Sequence, residues 1–265
     1  MTVEFVELNA LQPPQRIEYE WLGTADAKAP LIVFLHEGLG SRAMWREFPA
    51  QLCEAVGARG LVYSRPGYGR SSPRPPEESW TPAFMHHQAQ VVLPALLQAL
   101  GVDPAAQPLW LFGHSDGGSI ALLYAAAFPD ALRGAIVAAP HILVEDVSVS
   151  SIAQTRETYL STDMRERMRK YHDDPDSAFW GWNDIWLHPE FRDWAISDDI
   201  RSITCPLLAM QGIDDEYGTL AQIRGIAAVV PHTELVELPD CGHSPHRDQP
   251  LALIAACRRF MASQA

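Results

Sequence analysis

Ser115 is the residue best suited to act as a nucleophile, because it stands at the centre of Gly113-His114-Ser115-Asp116-Gly117. An apolar run precedes this segment, and residues of helical character follow it. The two glycines suit a sharp strand-to-helix turn, in which a Cβ atom would collide with neighbouring backbone. A helix that begins there directs its free N–H groups toward any charge that develops near the hydroxyl. Alone, the pattern fits a nucleophilic serine or a glycine-rich turn whose serine only caps the helix.

A serine hydroxyl is a weak nucleophile at neutral pH and needs an imidazole base, whose tautomer is held by an acid. Residues of both types follow later apolar runs: Asp214 and Asp215 come after residues 206–211, and His243 comes after residues 234–238. In parallel sheets, such side chains collect at the carboxyl ends of the strands. The sequence therefore predicts that Ser115, His243 and one of the two aspartates meet at one edge of a sheet.

The elements that must position these residues alternate between strands and helices, which predicts an α/β fold with a mostly parallel sheet and helices on both faces. The regular alternation stops near residue 141 and resumes near residue 200. We predict strands at residues 5–8, 17–22, 31–36, 60–64, 109–113, 134–139, 206–211 and 234–238, and helices at 41–56, 81–100 (kinked by Pro94), 119–127, 219–229 and 248–261.

The interrupted segment predicts a helical cap of residues 141–199 over a core made of residues 1–140 and 200–265. It contains helical stretches near residues 152–170 and a group of tryptophans at positions 180, 182, 186 and 194. These tryptophans are expected to form the small core of the cap. Trp182 and Trp186 are the candidates for an apolar wall facing a substrate.

Composition narrows the classes of partner. Of the 265 residues, 47% are apolar, which is enough for a large core, and the net charge of −13 disfavours nucleic acid or an anionic membrane as a partner. The four cysteines are scattered, so neither a zinc site nor a disulfide framework is indicated. No secretory signal or bilayer-spanning apolar run is visible, so we expect a cytoplasmic protein without a metal or cofactor.

Four further motifs stand in order around the serine turn: HEGLG at residues 36–40, YSRPGYGRSS at 63–72, GIDD at 212–215, and GH at 242–243 followed by DQP at 248–250. With the turn at 113–117, they resemble the motifs of the α/β-hydrolases over roughly residues 31–260, most weakly in the cap. The resemblance implies the α/β-hydrolase fold and a nucleophile elbow at Ser115. Two positions depart from the family pattern: Glu37 stands where glycine is usual, and Ser64 lies near the usual aspartate.

The resemblance also implies roles for the chemical groups. Spacing from Gly212 selects Asp215 as the acid of a catalytic triad with Ser115 and His243, leaving Asp214 as a turn or capping residue. A serine at the elbow argues against haloalkane dehalogenase and epoxide hydrolase, which use an aspartate nucleophile there.

An oxyanion hole needs two backbone donors. One is expected to be the N–H of Asp116, which follows the nucleophile. The other comes from the loop after the third strand: counting from His36 selects Gly38, whereas aligning the Gly-Leu-Gly segment selects Leu39. We favour Gly38.

Two carboxylates near the hydroxyl are unusual. An acid in the first turn of a helix is stabilised by the helix dipole, which is sufficient to explain Asp116. The elbow is also similar to that of valacyclovir-hydrolase-like enzymes, in which the equivalent aspartate is associated with the ammonium group of an amino ester.

Glu37 is expected to contact loop N–H groups or an arginine rather than substrate, although it stays a candidate for substrate binding. His141 is a candidate for the pocket wall, and His114 is expected to be structural.

The resemblance implies a serine hydrolase that cleaves small carboxylic esters through an acyl-enzyme, with a small-molecule substrate. One alternative is a carbon–carbon bond hydrolase acting on ring-cleavage products such as 2-hydroxy-6-oxo-dienoates. Another is a ligand receptor that retains the triad. The sequence leaves open whether the chain forms a homo-oligomer.

Overall fold

The computed structural model describes residues 2–264 and contains one eight-stranded sheet. The strand order is β1-β2-β4-β3-β5-β6-β7-β8; β2 runs antiparallel to β1 and β4, and the other neighbours are parallel. The predicted α/β class and mostly parallel sheet are thus confirmed. The strands are β1 (Glu4–Leu8), β2 (Gln15–Gly23), β3 (Leu31–Leu35), β4 (Arg59–Tyr63), β5 (Leu109–His114), β6 (Gly134–Ala138), β7 (Leu207–Gly212) and β8 (Thr233–Leu238).

The central strands are apolar throughout because both of their faces are covered. Every residue of β3, β5, β6 and β7 is buried. Since successive side chains of a strand point to opposite faces, Leu111 packs into one core cluster and Phe112 into the other. The sheet therefore separates two apolar layers, and its carboxyl edge is left for polar side chains.

Helices cover both faces and the carboxyl edge of the sheet. The helices α5, α6 and α7 lie between β6 and β7 in sequence, within the segment predicted as a cap; its behaviour as a separate domain stays a prediction. The helices are α1 (Phe48–Val56), α2 (Phe84–His87), α3 (Leu93–Ala99), α4 (Asp116–Ala127), α5 (Asp146–Ser161), α6 (Met164–Met168), α7 (Pro175–Trp186), α8 (Ala221–Val229), α9 (Pro245–Asp248) and α10 (Pro250–Ser263). No helix among residues 2–264 is long and apolar enough to cross a bilayer.

The predicted helix 41–56 is wrong as a single element. A 3₁₀ turn covers Arg42–Trp45, and α1 begins only at Phe48. Arg46 separates the two with a φ of 53°. A continuous α-helix would need an N–H donor at Pro49, which proline lacks, whereas proline is well accommodated in a first turn.

The helix predicted at 81–100 is widened rather than simply kinked. A π-helical segment at Gln88–Val92 joins α2 to α3, immediately before Pro94. Proline has no N–H to donate to the carbonyl four residues earlier, and its ring clashes with that carbonyl. A wider turn accommodates the ring. In the cap, the stretch predicted at 152–170 is two helices, because the chain is extended at Thr162.

Phe112 tests how much the layer beneath the elbow contributes to stability. It is fully buried and packs against Phe34, Trp45 and Phe48, with ring centroids 5.2–5.8 Å apart. We expect Phe112→Ala to lower the free energy of unfolding by about 3–5 kcal/mol, measured by urea denaturation, because it leaves a cavity in the apolar layer. The exposed Leu251 supplies the control: Leu251→Ala should change the same quantity by less than about 0.5 kcal/mol. Equal effects would contradict the assignment of Phe112 to the core.

Candidate active site

Ser115 occupies the sharp corner between β5 and α4. Its φ of 53° and ψ of −121° lie in a region that non-glycine residues rarely adopt. The neighbouring glycines permit this corner by close backbone contact: a Cβ on Gly113 would lie 2.2 Å from the Gly117 carbonyl oxygen, and one on Gly117 would lie 2.0 Å from the Leu35 carbonyl oxygen. The Ser115 N–H donates to the carbonyl of Ala138. The strained turn is therefore held by β3 and β6 on either side.

The structure brings the three predicted side chains together. His243 Nε2 lies 2.9 Å from Ser115 Oγ, and His243 Nδ1 lies 2.8 Å and 3.0 Å from the two carboxylate oxygens of Asp215. Asp215 also accepts the N–H groups of Tyr217 and Gly218. Burial alone would raise the pKa of Asp215, but the hydrogen bond and charge of His243 hold that pKa below its usual value. The carboxylate can therefore orient the imidazole and stabilise its cation.

Asp214 and Asp215 have different surroundings. Asp214 is exposed, and its backbone N–H donates to the Cys241 carbonyl, which joins the loop after β7 to the loop after β8. The buried Gln211 donates from Nε2 to Asp215 Oδ2 at 3.0 Å. The sequence predicts only an apolar strand at residues 206–211 and assigns no role to Gln211. A polar residue inside such a run was the available signal.

Three backbone N–H groups around Ser115 are free to donate a hydrogen bond. Within residues 2–264, no carbonyl or side chain accepts a hydrogen bond from the amides of Asp116, Gly38 or Leu39. The second oxyanion donor thus remains a choice between Gly38 and Leu39, as in the sequence.

Arg65 and His172 hold the loop after β3, and neither was predicted to have this role. The guanidinium of Arg65 donates to the Glu37 carbonyl at 2.9 Å. His172 lies 3.1 Å through Nε2 from the Leu39 carbonyl and accepts a backbone N–H through Nδ1, so Nε2 is the donor. Both side chains are buried, and both fix the main chain on either side of Gly38.

Ser64, which lies near the position of the family's usual aspartate, is itself bonded to a carboxylate. Ser64 Oγ donates to Oε1 of the buried Glu18 on β2, and the same oxygen accepts the backbone N–H of Arg70 at 2.9 Å. Arg42 lies 3.6 Å from the other oxygen of Glu18. A carboxylate from a neighbouring strand therefore binds this loop through the Ser64 hydroxyl and also directly at the Arg70 N–H.

The side chain of Asp116 is fully buried and faces the protein interior. Its Oδ1 accepts the indole N–H of Trp186 at 3.2 Å, and its Oδ2 lies 4.0 Å from the guanidinium of the buried Arg65. Burial raises the pKa of Asp116 to about 6, against the opposing effects of the Arg65 charge and the Trp186 hydrogen bond. The carboxylate of Asp116 thus already has a hydrogen-bond donor in Trp186 and a nearby positive charge in Arg65.

His141, Trp182 and Trp186 all lie close to the candidate triad. The ring centroid of His141 is 4.9 Å from that of Trp186 and 5.6 Å from that of His243. Burial lowers the pKa of His141 to about 3, so its imidazole is neutral at pH 7. Trp182 packs against Gly38 so closely that a Cβ there would lie 2.2 Å from the indole nitrogen. The cap helix α7 thus places both tryptophans over the edge of the sheet.

The Glu37 side chain contacts His114 and Arg247, each at 3.5 Å. An arginine contact was one of the interpretations that the sequence favoured. Burial alone would raise the pKa of Glu37, but the His114 hydrogen bond and the nearby positive charges hold it well below its usual value. Among the described residues, no cluster of histidine, cysteine and acidic side chains could hold a metal ion.

Known proteins share this architecture. The model of the Alpha/beta hydrolase family matches residues 32–256. The sn-1-specific diacylglycerol lipase ABHD11 of Mus musculus is 25% identical, covering 96% of this chain and 88% of its own. The 2-succinyl-6-hydroxy-2,4-cyclohexadiene-1-carboxylate synthase of Klebsiella pneumoniae is 27% identical, covering 88% and 94% respectively. The crystal structure of VinJ matches with a TM-score of 0.77 at 22% identity, covering 100% of this chain and 99% of that one, and at this identity it shows the shared fold.

The raised pKa of Asp116 predicts how stability depends on pH. Between the ordinary pKa of 3.8 and about 6, the folded state binds a proton that the unfolded state does not, so lowering the pH stabilises the fold. Relative to Asp116→Asn, the wild type should gain about 2–3 kcal/mol of unfolding free energy between pH 7 and pH 4, since a tenfold change in proton affinity is worth about 1.4 kcal/mol. Urea denaturation of both proteins across this range measures the difference. A wild type that loses stability relative to the variant on acidification would contradict the assignment.

Proposed function

The chain belongs to the alpha/beta hydrolase family, and on that premise we propose that it is a serine hydrolase that cleaves small carboxylic esters. The observation that carries the proposal is the continuous contact from Ser115 Oγ through His243 to Asp215, at 2.9 Å and 2.8 Å. A hydroxyl, an imidazole and a buried carboxylate in this order are what nucleophilic acyl transfer requires.

In the proposed reaction, Ser115 Oγ attacks the ester carbonyl carbon while His243 Nε2 takes the hydroxyl proton. The resulting oxyanion accepts hydrogen bonds from the backbone N–H groups of Asp116 and Gly38. His243 then gives its proton to the departing alcohol, which leaves an acyl group on Ser115. Water, deprotonated by the same imidazole, attacks this acyl group; the acid is released and the proton returns to Ser115. Asp215 holds the tautomer and stabilises the imidazolium at each step.

Burial of the site supports a substrate of modest size. Ser115 is only 6% exposed, and Trp182 lies directly against Gly38. Trp186 adds a second aromatic surface nearby, and its indole N–H is already bonded to Asp116. A compact, uncharged acyl group fits these surroundings best, because an unpaired charge would be costly there.

One of the two named relatives supports an ester substrate. A diacylglycerol lipase, by its name, acts on an ester. The synthase relative is named for a different reaction, so the family resemblance alone does not select ester cleavage.

The second candidate function is cleavage of a carbon–carbon bond in a 2-hydroxy-6-oxo-dienoate. His141 favours it: a neutral imidazole 5.6 Å from His243 could hydrogen-bond to a keto or enol oxygen as that group changes tautomer. A simple alkyl ester offers no such group. Activity toward a 2-hydroxy-6-oxo-dienoate without activity toward simple esters would select this candidate.

Replacement of the nucleophile tests the leading proposal. We expect steady-state hydrolysis of p-nitrophenyl acetate and butyrate, and Ser115→Ala should lower kcat/KM by at least about 10⁴-fold because the acyl-enzyme cannot form. The exposed Ser150 on α5 gives the control variant Ser150→Ala, which should retain wild-type rates. Unchanged turnover in Ser115→Ala would refute the proposal. A single-turnover burst without a steady state in the wild type would instead indicate a ligand receptor.

A matched pair of esters tests the role of the Asp116 side chain. We propose that this residue serves catalysis through its backbone N–H, because its carboxylate is buried between Trp186 and Arg65. Asp116→Asn should then change kcat/KM by the same factor for p-nitrophenyl butyrate and for the p-nitrophenyl ester of 2-aminobutyric acid. A loss at least about tenfold greater for the amino ester would show that the carboxylate balances a substrate ammonium group, since a tenfold change corresponds to about 1.4 kcal/mol.

A further inference from the structure

A second pairing of a carboxylate with an imidazole lies beside the candidate triad. His114 Nε2 is 2.6 Å from the main-chain carbonyl oxygen of His243, and His114 Nδ1 is 3.5 Å from Glu37 Oε2. His114 is 1% exposed, and its ring centroid is 5.2 Å from that of His243. Neither Glu37 nor His114 takes part in the reaction steps set out above.

The chemistry of the two contacts defines their direction. A carbonyl oxygen can only accept, so His114 Nε2 must carry a proton and donate it. The other ring nitrogen, Nδ1, faces the carboxylate oxygen Oε2 of Glu37. Two further groups surround the pair: His246 packs against His114 at 4.7 Å and is kept neutral by burial, which lowers its pKa to about 2, and Arg247 contacts the other oxygen of Glu37.

The pair connects the three loops on which acyl transfer depends. Glu37 directly precedes Gly38 in the oxyanion loop, and His114 directly precedes Ser115. The acceptor is the carbonyl of His243 itself, so this bond restrains the backbone that carries the base. A displacement of these loops relative to one another would misalign the nucleophile and base together.

The other bond that restrains the His243 backbone is more exposed. The His243 N–H donates at 3.1 Å to Glu216, whose side chain lies at the surface. Water competes for an exposed carboxylate and weakens such a bond, whereas the buried contact with His114 keeps its full strength. The His114 bond is therefore the principal restraint on the backbone of the base.

We propose that Glu37 and His114 form a positioning pair, in which Glu37 orients His114 and His114 holds the His243 carbonyl so that the imidazole of His243 faces Ser115. The proposal rests on the proposed function of Ser115 and His243. It also accounts for the departure at position 37, since glycine there could not reach His114.

Substitutions at position 114 separate the hydrogen bond from the shape of the ring. The terminal amide of glutamine lies near the position of Nε2 and can donate to the carbonyl, whereas that of asparagine lies near Nδ1 and cannot. We expect His114→Asn and His114→Leu to lower kcat on p-nitrophenyl butyrate by about 10- to 100-fold with KM changed less than about threefold, because small misplacement of a catalytic group is costly. His114→Gln should recover at least about tenfold of that loss.

Two further variants complete the design. Glu37→Gln should lower kcat less than His114→Leu, and the Glu37→Gln/His114→Leu double variant should be no slower than His114→Leu alone, because the two residues act through one contact. His232 provides the matched control, since its Nε2 also contacts a backbone carbonyl, that of Cys205, at the opposite end of β7. His232→Leu should keep the wild-type kcat.

Proton NMR gives a readout that does not depend on turnover. The Nδ1 proton of His243, bonded to Asp215, should give a resonance well downfield of the backbone amides, identified by its loss in His243→Asn. It should broaden in His114→Leu and persist in His114→Gln and His232→Leu. Equal kcat in His114→Leu and wild type, equal losses in the glutamine and asparagine variants, or an unaltered resonance in His114→Leu would each overturn the positioning role. A wild type that shows the resonance but hydrolyses no ester would refute ester hydrolysis and leave the positioning pair supported by the resonance changes.

Discussion

The close approach of α4 to the end of β3 is the contact on which the rest of the site depends. Gly117 lies so near the Leu35 carbonyl that no side chain fits between them, and this proximity forces the chain into the tight corner at Ser115. A strained backbone of this kind costs of the order of 1–3 kcal/mol and persists only when its surroundings determine it. Here the buried strands on either side supply that constraint, and Ser115 is held beside the unpaired amide of Asp116, the first residue of α4.

Charges within this edge of the sheet are matched in pairs because so little water reaches them. Glu18 lies 3.6 Å from Arg42, and Arg65 lies beside Asp116. Each group would be expensive to bury alone, and each becomes tolerable with a partner of opposite charge. The same rule explains how the loop after β3 accommodates Glu37, whose carboxylate lies 3.5 Å from the guanidinium of Arg247.

Two tryptophans of α7 lie beside this polar edge of the sheet. The indole N–H of Trp186 donates to Asp116, and Trp182 packs against Gly38. The Trp186 N–H is therefore already bonded within the protein, whereas the indole nitrogen of Trp182 lies beside Gly38, and the neutral His141 packs against Trp186. The segment predicted as a cap supplies these aromatic side chains, and the proposed reacting groups lie on loops that follow strands of the sheet.

The sequence by itself predicted the succession of strands and helices, because apolar periodicity is a local property, and the resemblance of its motifs to a family supplied the elbow and the candidate triad. It misjudged helix continuity at Pro49 and Pro94, where missing N–H donors act over a single turn. Only the tertiary structure decided where the charged side chains point: that Asp116 turns inward to Trp186, and that His114 reaches the His243 carbonyl. Such contacts join residues far apart in the chain, and they depend on distances that no local pattern encodes.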